Sequence, residues 1–182
     1  MNTLAVADLT PGTWEIDPVH SSINFWVRHL MVSKVRGRFD TFSGVITIAE
    51  NGTPSLSAEI AVTSINTGSI QRDEHVRAAD FFEVEKFPTA TFRSTSIVTK
   101  GESFILTGNC TLHGVTKSID LSVQFNGVNP GGGSGTVAGF EATVVLNRKD
   151  FGINFDMPLE VGGAMVGDKV TIDLEIEALK KN

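Results

Sequence analysis

The run Val170-Thr171-Ile172-Asp173-Leu174-Glu175-Ile176-Glu177-Ala178 decides the fold class. Apolar and polar residues alternate through it, and a period of two marks a strand with one buried face and one wet face. The same pattern sets Ile119, Leu121, Val123 and Phe125 against Asp120, Ser122, Gln124 and Asn126, and it recurs at Phe140, Ala142, Val144 and Leu146. Weaker versions occupy residues 23–27, 45–49, 56–62, 90–98 and 104–112, which brings the candidate strands to eight. Turn chemistry lies between them, at Glu50-Asn51-Gly52-Thr53-Pro54, Thr99-Lys100-Gly101-Glu102 and His113-Gly114. The Lys100-Gly101 and His113-Gly114 joints are short enough for hairpins, so neighbouring strands are expected to be antiparallel. The glycine-rich run at 131–135 reads as a mobile loop. A strand follows it where a helix should begin, so it is not a dinucleotide fingerprint.

Composition narrows the function classes. The chain has 182 residues, with 18 Gly, 12 Phe, no Tyr and a net charge of −6. That balance argues against nucleic acid, which needs a dense basic face. No apolar run approaches the roughly 20 residues of a membrane-spanning helix. A single cysteine, Cys110, rules out an intrachain disulfide and a cysteine-based zinc cage. Residues 1–8 carry no basic residue and no sustained apolar core, so no secretory signal is read there. The expected location is cytoplasmic, or periplasmic or secreted if a leader once preceded Met1. With no internal repeat, the chain reads as one domain over residues 13–180 with a short N-terminal extension, 1–12.

One segment breaks the β pattern. Residues 69–79, Ser-Ile-Gln-Arg-Asp-Glu-His-Val-Arg-Ala-Ala, do not alternate and are rich in helix formers. Ser69 is a capping residue, the early acids Asp73 and Glu74 suit the helix dipole, and Asp73 and Arg77 stand at pairing distance on a helix. Phe81, Phe82 and Phe87 supply an apolar anchor before Pro88, and a second short helical turn is expected at residues 29–34.

Eight antiparallel strands in a small domain leave edges, and closing the sheet on itself removes them. The expected fold is therefore all-β: an eight-stranded antiparallel barrel with one or two short helices, its interior just wide enough for packed side chains or one slim ligand. A filled barrel is a scaffold; a hollow one is a receptor for something apolar.

The polar residues offer no catalytic constellation. The four histidines, His20, His29, His75 and His113, show no i, i+2 or i, i+4 spacing for a shared metal, so no metal site is read. His20 and Ser22 share a strand face without a third partner, and Gly-x-Ser-x-Gly is absent. Cys110 is in phase with Leu106, Gly108 and Leu112, which makes it an inward-facing small hydrophobe. Asp156-Met157-Pro158 and Arg148-Lys149-Asp150 read as loop chemistry. The helix with Arg72, His75 and Arg77 is the strongest polar feature, either as an anion-binding surface or as a solvated face paired through Asp73 and Glu74.

Several separate motifs together resemble the YceI-like family. They are Trp14-Glu15-Ile16-Asp17-Pro18-Val19-His20-Ser21-Ser22-Ile23-Asn24-Phe25 with Val27-Arg28-His29 and Gly37-Arg38-Phe39; Ser64-Ile65-Asn66-Thr67 with Arg72-Asp73-Glu74-His75-Val76-Arg77 and Asp80-Phe81-Phe82; Phe87-Pro88-Thr89-Ala90-Thr91-Phe92; Leu112-His113-Gly114-Val115-Thr116-Lys117; and Leu146-Asn147-Arg148-Lys149-Asp150-Phe151-Gly152-Ile153. The resemblance implies an extended lipocalin-like barrel that holds isoprenoid-type lipids such as polyprenyl phosphates or quinone-like molecules, with no catalytic residues and no cofactor beyond the bound lipid. Val76 stands where the family usually has Leu, and Cys110 where it has an aliphatic residue, which implies a slightly reshaped lining.

The expected tail-binding residues are Phe25, Val27, Ile60, Val62, Phe92, Leu106, Leu121, Val123, Phe140, Val144, Ile172 and Leu174. Arg72, His75 and Arg77, with His29 behind them, are the expected head-group residues. Non-catalytic binding, storage or transport of an isoprenoid lipid is the leading reading. An enzyme acting on such a lipid and a filled barrel serving as an interaction module are the alternatives, and a homodimer through a strand edge is compatible with each.

Overall fold

The structure is a computed structural model and describes residues 8–131 and 133–182. The strands are β1 (Gly12–Ile16), β2 (Ser22–His29), β3 (Ser33–Phe39), β4 (Phe42–Ile48), β5 (Pro54–Ala61), β6 (Ile65–Asn66), β7 (Thr89–Lys100), β8 (Ser103–Leu112), β9 (Val115–Asn129), β10 (Val137–Asn147) and β11 (Val166–Lys180), and one helix, α1, spans Ile70–Arg77. Pairing runs β1-β4-β5-β7-β8-β9-β10-β11 and returns from β11 to β1, with every pair antiparallel. The result is a closed eight-stranded barrel. The hairpins expected at Lys100-Gly101 and His113-Gly114 are present, and His113 and Gly114 both take positive φ, 53° and 72°.

The three further strands come from interruptions in long ones. The first half of β11 pairs with β2 and its last residues pair with β1, so β1 and β2 share one neighbour; β4 and β3 face them in the same way. Pro18 has no N–H to give to a ladder, and the chain loops out between Asp17 and Ser21. The Asp17 amide and the Ser21 hydroxyl both donate to the Glu177 carbonyl, at 2.8 and 3.2 Å, and the Glu177 amide donates to Ser21 Oγ at 3.0 Å. A matching kink at residues 40–41 is held by the Asp40 amide on the Ser64 carbonyl and the Thr41 amide on Ser64 Oγ. His20 therefore sits in a loop and not on a strand with Ser22, whose hydroxyl accepts from Asn24 Nδ2 instead.

Residues 29–34 form no helical turn. They end β2, turn through Leu30 and Met31, and begin β3, because Val35, Gly37 and Phe39 continue a period of two that the basic residues between them conceal. Ser69 caps α1 by accepting the Arg72 amide at 3.4 Å, but Asp73 and Arg77 do not pair. Asp73 is buried and takes the amide and hydroxyl of Thr67 at 2.8 and 2.6 Å, while Arg77 donates to the carbonyls of Thr63 and Ile65. Both side chains fasten the helix to the segment before it. Of the glycine-rich run, Gly131 and residues 133–135 lie outside any strand, and residue 132 is outside the described residues, as are residues 1–7 of the N-terminal extension. Leu9 is buried in the same core as Trp14, Ile48 and Ala178, at the end of the barrel opposite α1.

Candidate ligand-binding cavity

The barrel is hollow. A cavity of about 500 Å³ runs along its axis, within the range of roughly 300–1,000 Å³ that small-molecule sites occupy. Its wall is built by the inward phase of each strand: Ile23, Phe25 and Val27 on β2, Ile119, Leu121 and Val123 on β9, Phe140, Ala142, Val144 and Leu146 on β10, and Val170, Ile172, Leu174 and Ile176 on β11. Glycines keep the rings from filling the space. Phe25 faces Gly37 across the β2–β3 ladder, and a Cβ on Gly37 would lie 2.4 Å from the tip of its ring. Phe92 covers Gly108 in the same way, at 2.3 Å. Each ring therefore lies along the wall over a residue without a side chain.

Eleven of the twelve expected tail-binding residues line this space: Phe25, Val27, Ile60, Phe92, Leu106, Leu121, Val123, Phe140, Val144, Ile172 and Leu174. Val62 does not. The chain leaves β5 at Ala61 for a short 3-10 turn, so Val62 is 1% exposed in the wall with its amide on the Pro88 carbonyl. A register shift between Ser94 and Ser96 of β7 inverts the strand's phase, and Ile97 lines the cavity while Val98 faces water.

Polar lining residues gather at the end where α1 sits. Arg28, His29, Thr67, Arg72, His75 and Arg148 are there, and among the described residues the rest of the wall adds only Ser43, Ser55 and the Cys110 thiol. Of the four expected head-group residues, His29, Arg72 and His75 reach the cavity, and Arg77 does not because it is turned toward the 62–66 segment. Arg72 is held by Thr67, with Nε on the hydroxyl and Nη2 on the carbonyl, both at 2.8 Å. His75 Nε2 lies 2.9 Å from an Asp80 carboxylate oxygen, and its ring meets Phe81 and Phe155 edge-on.

Two groups carry roles that the sequence reading missed. Arg148 is not loop chemistry. It is 5% exposed, lines the cavity, and donates to the carbonyls of Gly167 (2.9 Å), Ile153 (2.8 Å) and Val166 (3.3 Å), with Asp168 Oδ1 at 3.4 Å. The apolar Leu146, Phe151 and Ile153 beside it in sequence hint at burial but not at the carbonyls it meets. Phe81, Phe82 and Phe155 also line the cavity. Cys110 faces inward as its phase requires, and burial pushes its thiol up to about 11.

Asp17, His20 and Glu177 bring three ligand-type atoms within 4.8 Å of one another on the outer wall. Their contacts form a hydrogen-bonded ion-pair cluster: Asp17 Oδ1 accepts the Val19 amide, Oδ2 meets His20 Nδ1 at 2.8 Å, and Glu177 Oε1 stands 3.7 Å from the same nitrogen.

Comparison with known proteins places this architecture. The chain is 40% identical over 165 residues to UPF0312 protein SAS2572 of Staphylococcus aureus (strain MSSA476), covering 88% of this chain and 94% of that protein. The Campylobacter jejuni YCEI protein superimposes with a TM-score of 0.73 at 28% identity, over 85% of this chain and 90% of that one. A structure described as a polyisoprenoid binding domain from Saccharophagus degradans, implicated in plant cell wall breakdown, gives 0.67 at 19% identity, over 92% and 98%. The YceI-like domain model matches residues 14–178, and the chain belongs to that family.

Proposed function

We propose that this protein binds, stores or carries an isoprenoid-type lipid without transforming it, sheathing the tail in the barrel. The observation that supports this reading most is the hollow itself: about 500 Å³ with a wall of aliphatic and aromatic side chains. Each methylene moved from water into such a wall contributes about 0.8 kcal/mol. A tail of a few isoprene units therefore offsets the roughly 4–15 kcal/mol that association costs, with little help from polar contacts.

The polar residues at the α1 end give the ligand a direction, with its head beside His29, Arg72 and His75. Arg72 is already held by Thr67 and His75 by Asp80, so both meet a head group in fixed orientations. A domain described as polyisoprenoid binding has the same fold, which is in keeping with this ligand class. Among the described lining residues no hydrogen bond joins a nucleophile to a base, which favours carriage over chemistry.

Protein purified from cells should release an organic-extractable isoprenoid lipid, identified by mass spectrometry, at close to one per chain. An empty extract combined with no uptake of added polyprenyl compounds would overturn the reading.

A further inference from the structure

We propose that the β2–β3 hairpin, with the loop beside it, docks this protein on an anionic lipid bilayer. The turn of the hairpin is Leu30-Met31-Val32, closed by the Val32 amide on the His29 carbonyl at 3.1 Å, and Leu30 and Met31 both take positive φ, 49° and 62°. Those positions favour Asn and Gly; bulky apolar residues there cost stability and stand in water. Met31 and Val32 are exposed, Val32 at 80%. A second tip lies against this one. Residues 157–165 fold back through the Pro158–Ala164 bridge and present Val161, 95% exposed. The Leu30 amide donates to the Met165 carbonyl at 2.9 Å, and Met31 packs over Gly163, so the two tips form one apolar edge.

Charge selects the partner. Between Asp17 and Asp40 the sequence holds no acid and four basic residues, in a chain of net charge −6. Lys34 and Arg36 are exposed on the outer face of the hairpin, Arg28 is exposed at the rim of the cavity mouth, and Arg38 is tied to Asp40. Lys34 Nζ lies 3.9 Å from the Trp26 ring centre and the Arg28 guanidinium 5.8 Å. The second tip carries Glu160, so the electrostatic attraction belongs to the hairpin. Exposed apolar tips backed by basic side chains and a tryptophan suit the boundary of an anionic membrane. The hairpin stem also lines the α1 end of the cavity through Val27, His29 and Val35. Docking there lets a tail pass from bilayer to barrel with little exposure to water, a role that rests on the lipid-carrier reading.

Flotation of the full chain with vesicles of phosphatidylcholine and phosphatidylglycerol, against phosphatidylcholine alone, tests the docking separately from cargo. The protein should float with the anionic vesicles at low salt and be released as salt rises. Because Trp14 is buried, the accompanying blue shift should come from Trp26. Val32→Asp with Val161→Asp, and separately Lys34→Glu with Arg36→Glu, should each weaken vesicle binding about tenfold or more while uptake of a polyprenyl compound from detergent stays unchanged. No association at low salt, or parent-like association of both double variants, overturns the docking even if polyprenyl uptake is intact. Vesicle binding without polyprenyl uptake upholds the docking and defeats the carrier reading alone.

Discussion

Arg148 and Cys110 show what a single position reveals before folding and what it does not. Cys110 was legible because its phase with Leu106 and Leu112 survives in β8, which has no bulge. Its thiol, pushed to about 11 by burial, is ionised in only about a thousandth of molecules at pH 8. A water-soluble maleimide should therefore label it far more slowly than a free thiol, and slower still with isoprenoid bound; labelling at the free-thiol rate would contradict the inward placement. Arg148 was illegible because Arg-Lys-Asp after a strand usually means a solvated turn, and only the tertiary fold brings the carbonyls of Ile153, Val166 and Gly167 around one guanidinium. An unsatisfied buried polar group costs roughly 1–3 kcal/mol. Arg148→Met strands several carbonyls and should lower stability by at least about 3 kcal/mol in urea unfolding, with Arg148→Lys recovering only part. A loss below about 1 kcal/mol would mean that those carbonyls find other partners.

At the scale of elements, strict alternation located β9, β10 and β11, weaker alternation located β8, and the misses fall where a ladder is interrupted or a register shifts. The break at Asp17–Ser21 and the shift in β7 depend on which strand lies alongside, which no local window contains. The break also has its own titration. His20 is held above its usual 6.5 first by its hydrogen bond to Asp17, then by the charges of Asp17 and Glu177; Asp17 is held below 3.8 chiefly by the hydrogen bond to His20. A raised histidine gives its full contribution below about 6.5 and loses it as pH climbs through its folded value. A lowered aspartate gives its full contribution above about 3.8 and loses it as pH falls through its own. The loop is thus best tied between those two limits and loosens on either side. Imidazole resonances should show His20 titrating above 6.5, and Asp17→Asn should bring it back toward that value. An unchanged midpoint in the variant would place the cause of the shift elsewhere.

For the whole molecule, strand count and antiparallel order implied a closed barrel, whereas hollowness depends on the summed volume of side chains from every strand. No alternation pattern supplies that sum. Phe25 over Gly37 and Phe92 over Gly108 tilt it toward a void, and they become meaningful only once the pairing sets each ring over its glycine. Val123 offers a direct test, since it faces the lumen from β9 with Phe104 and Ala142 as its ladder neighbours. Forcing extra volume into a packed core typically costs about 1–3 kcal/mol. An indole projecting into open space avoids most of that strain while occupying the path of a tail. Val123→Trp should accordingly lose polyprenyl uptake by about tenfold or more while its urea midpoint implies a change below about 1 kcal/mol. Val145→Trp, on the outward phase of neighbouring β10, should change neither quantity. If Val123→Trp instead destabilises by the full cost of overpacking and leaves uptake intact, the ligand does not lie in the lumen.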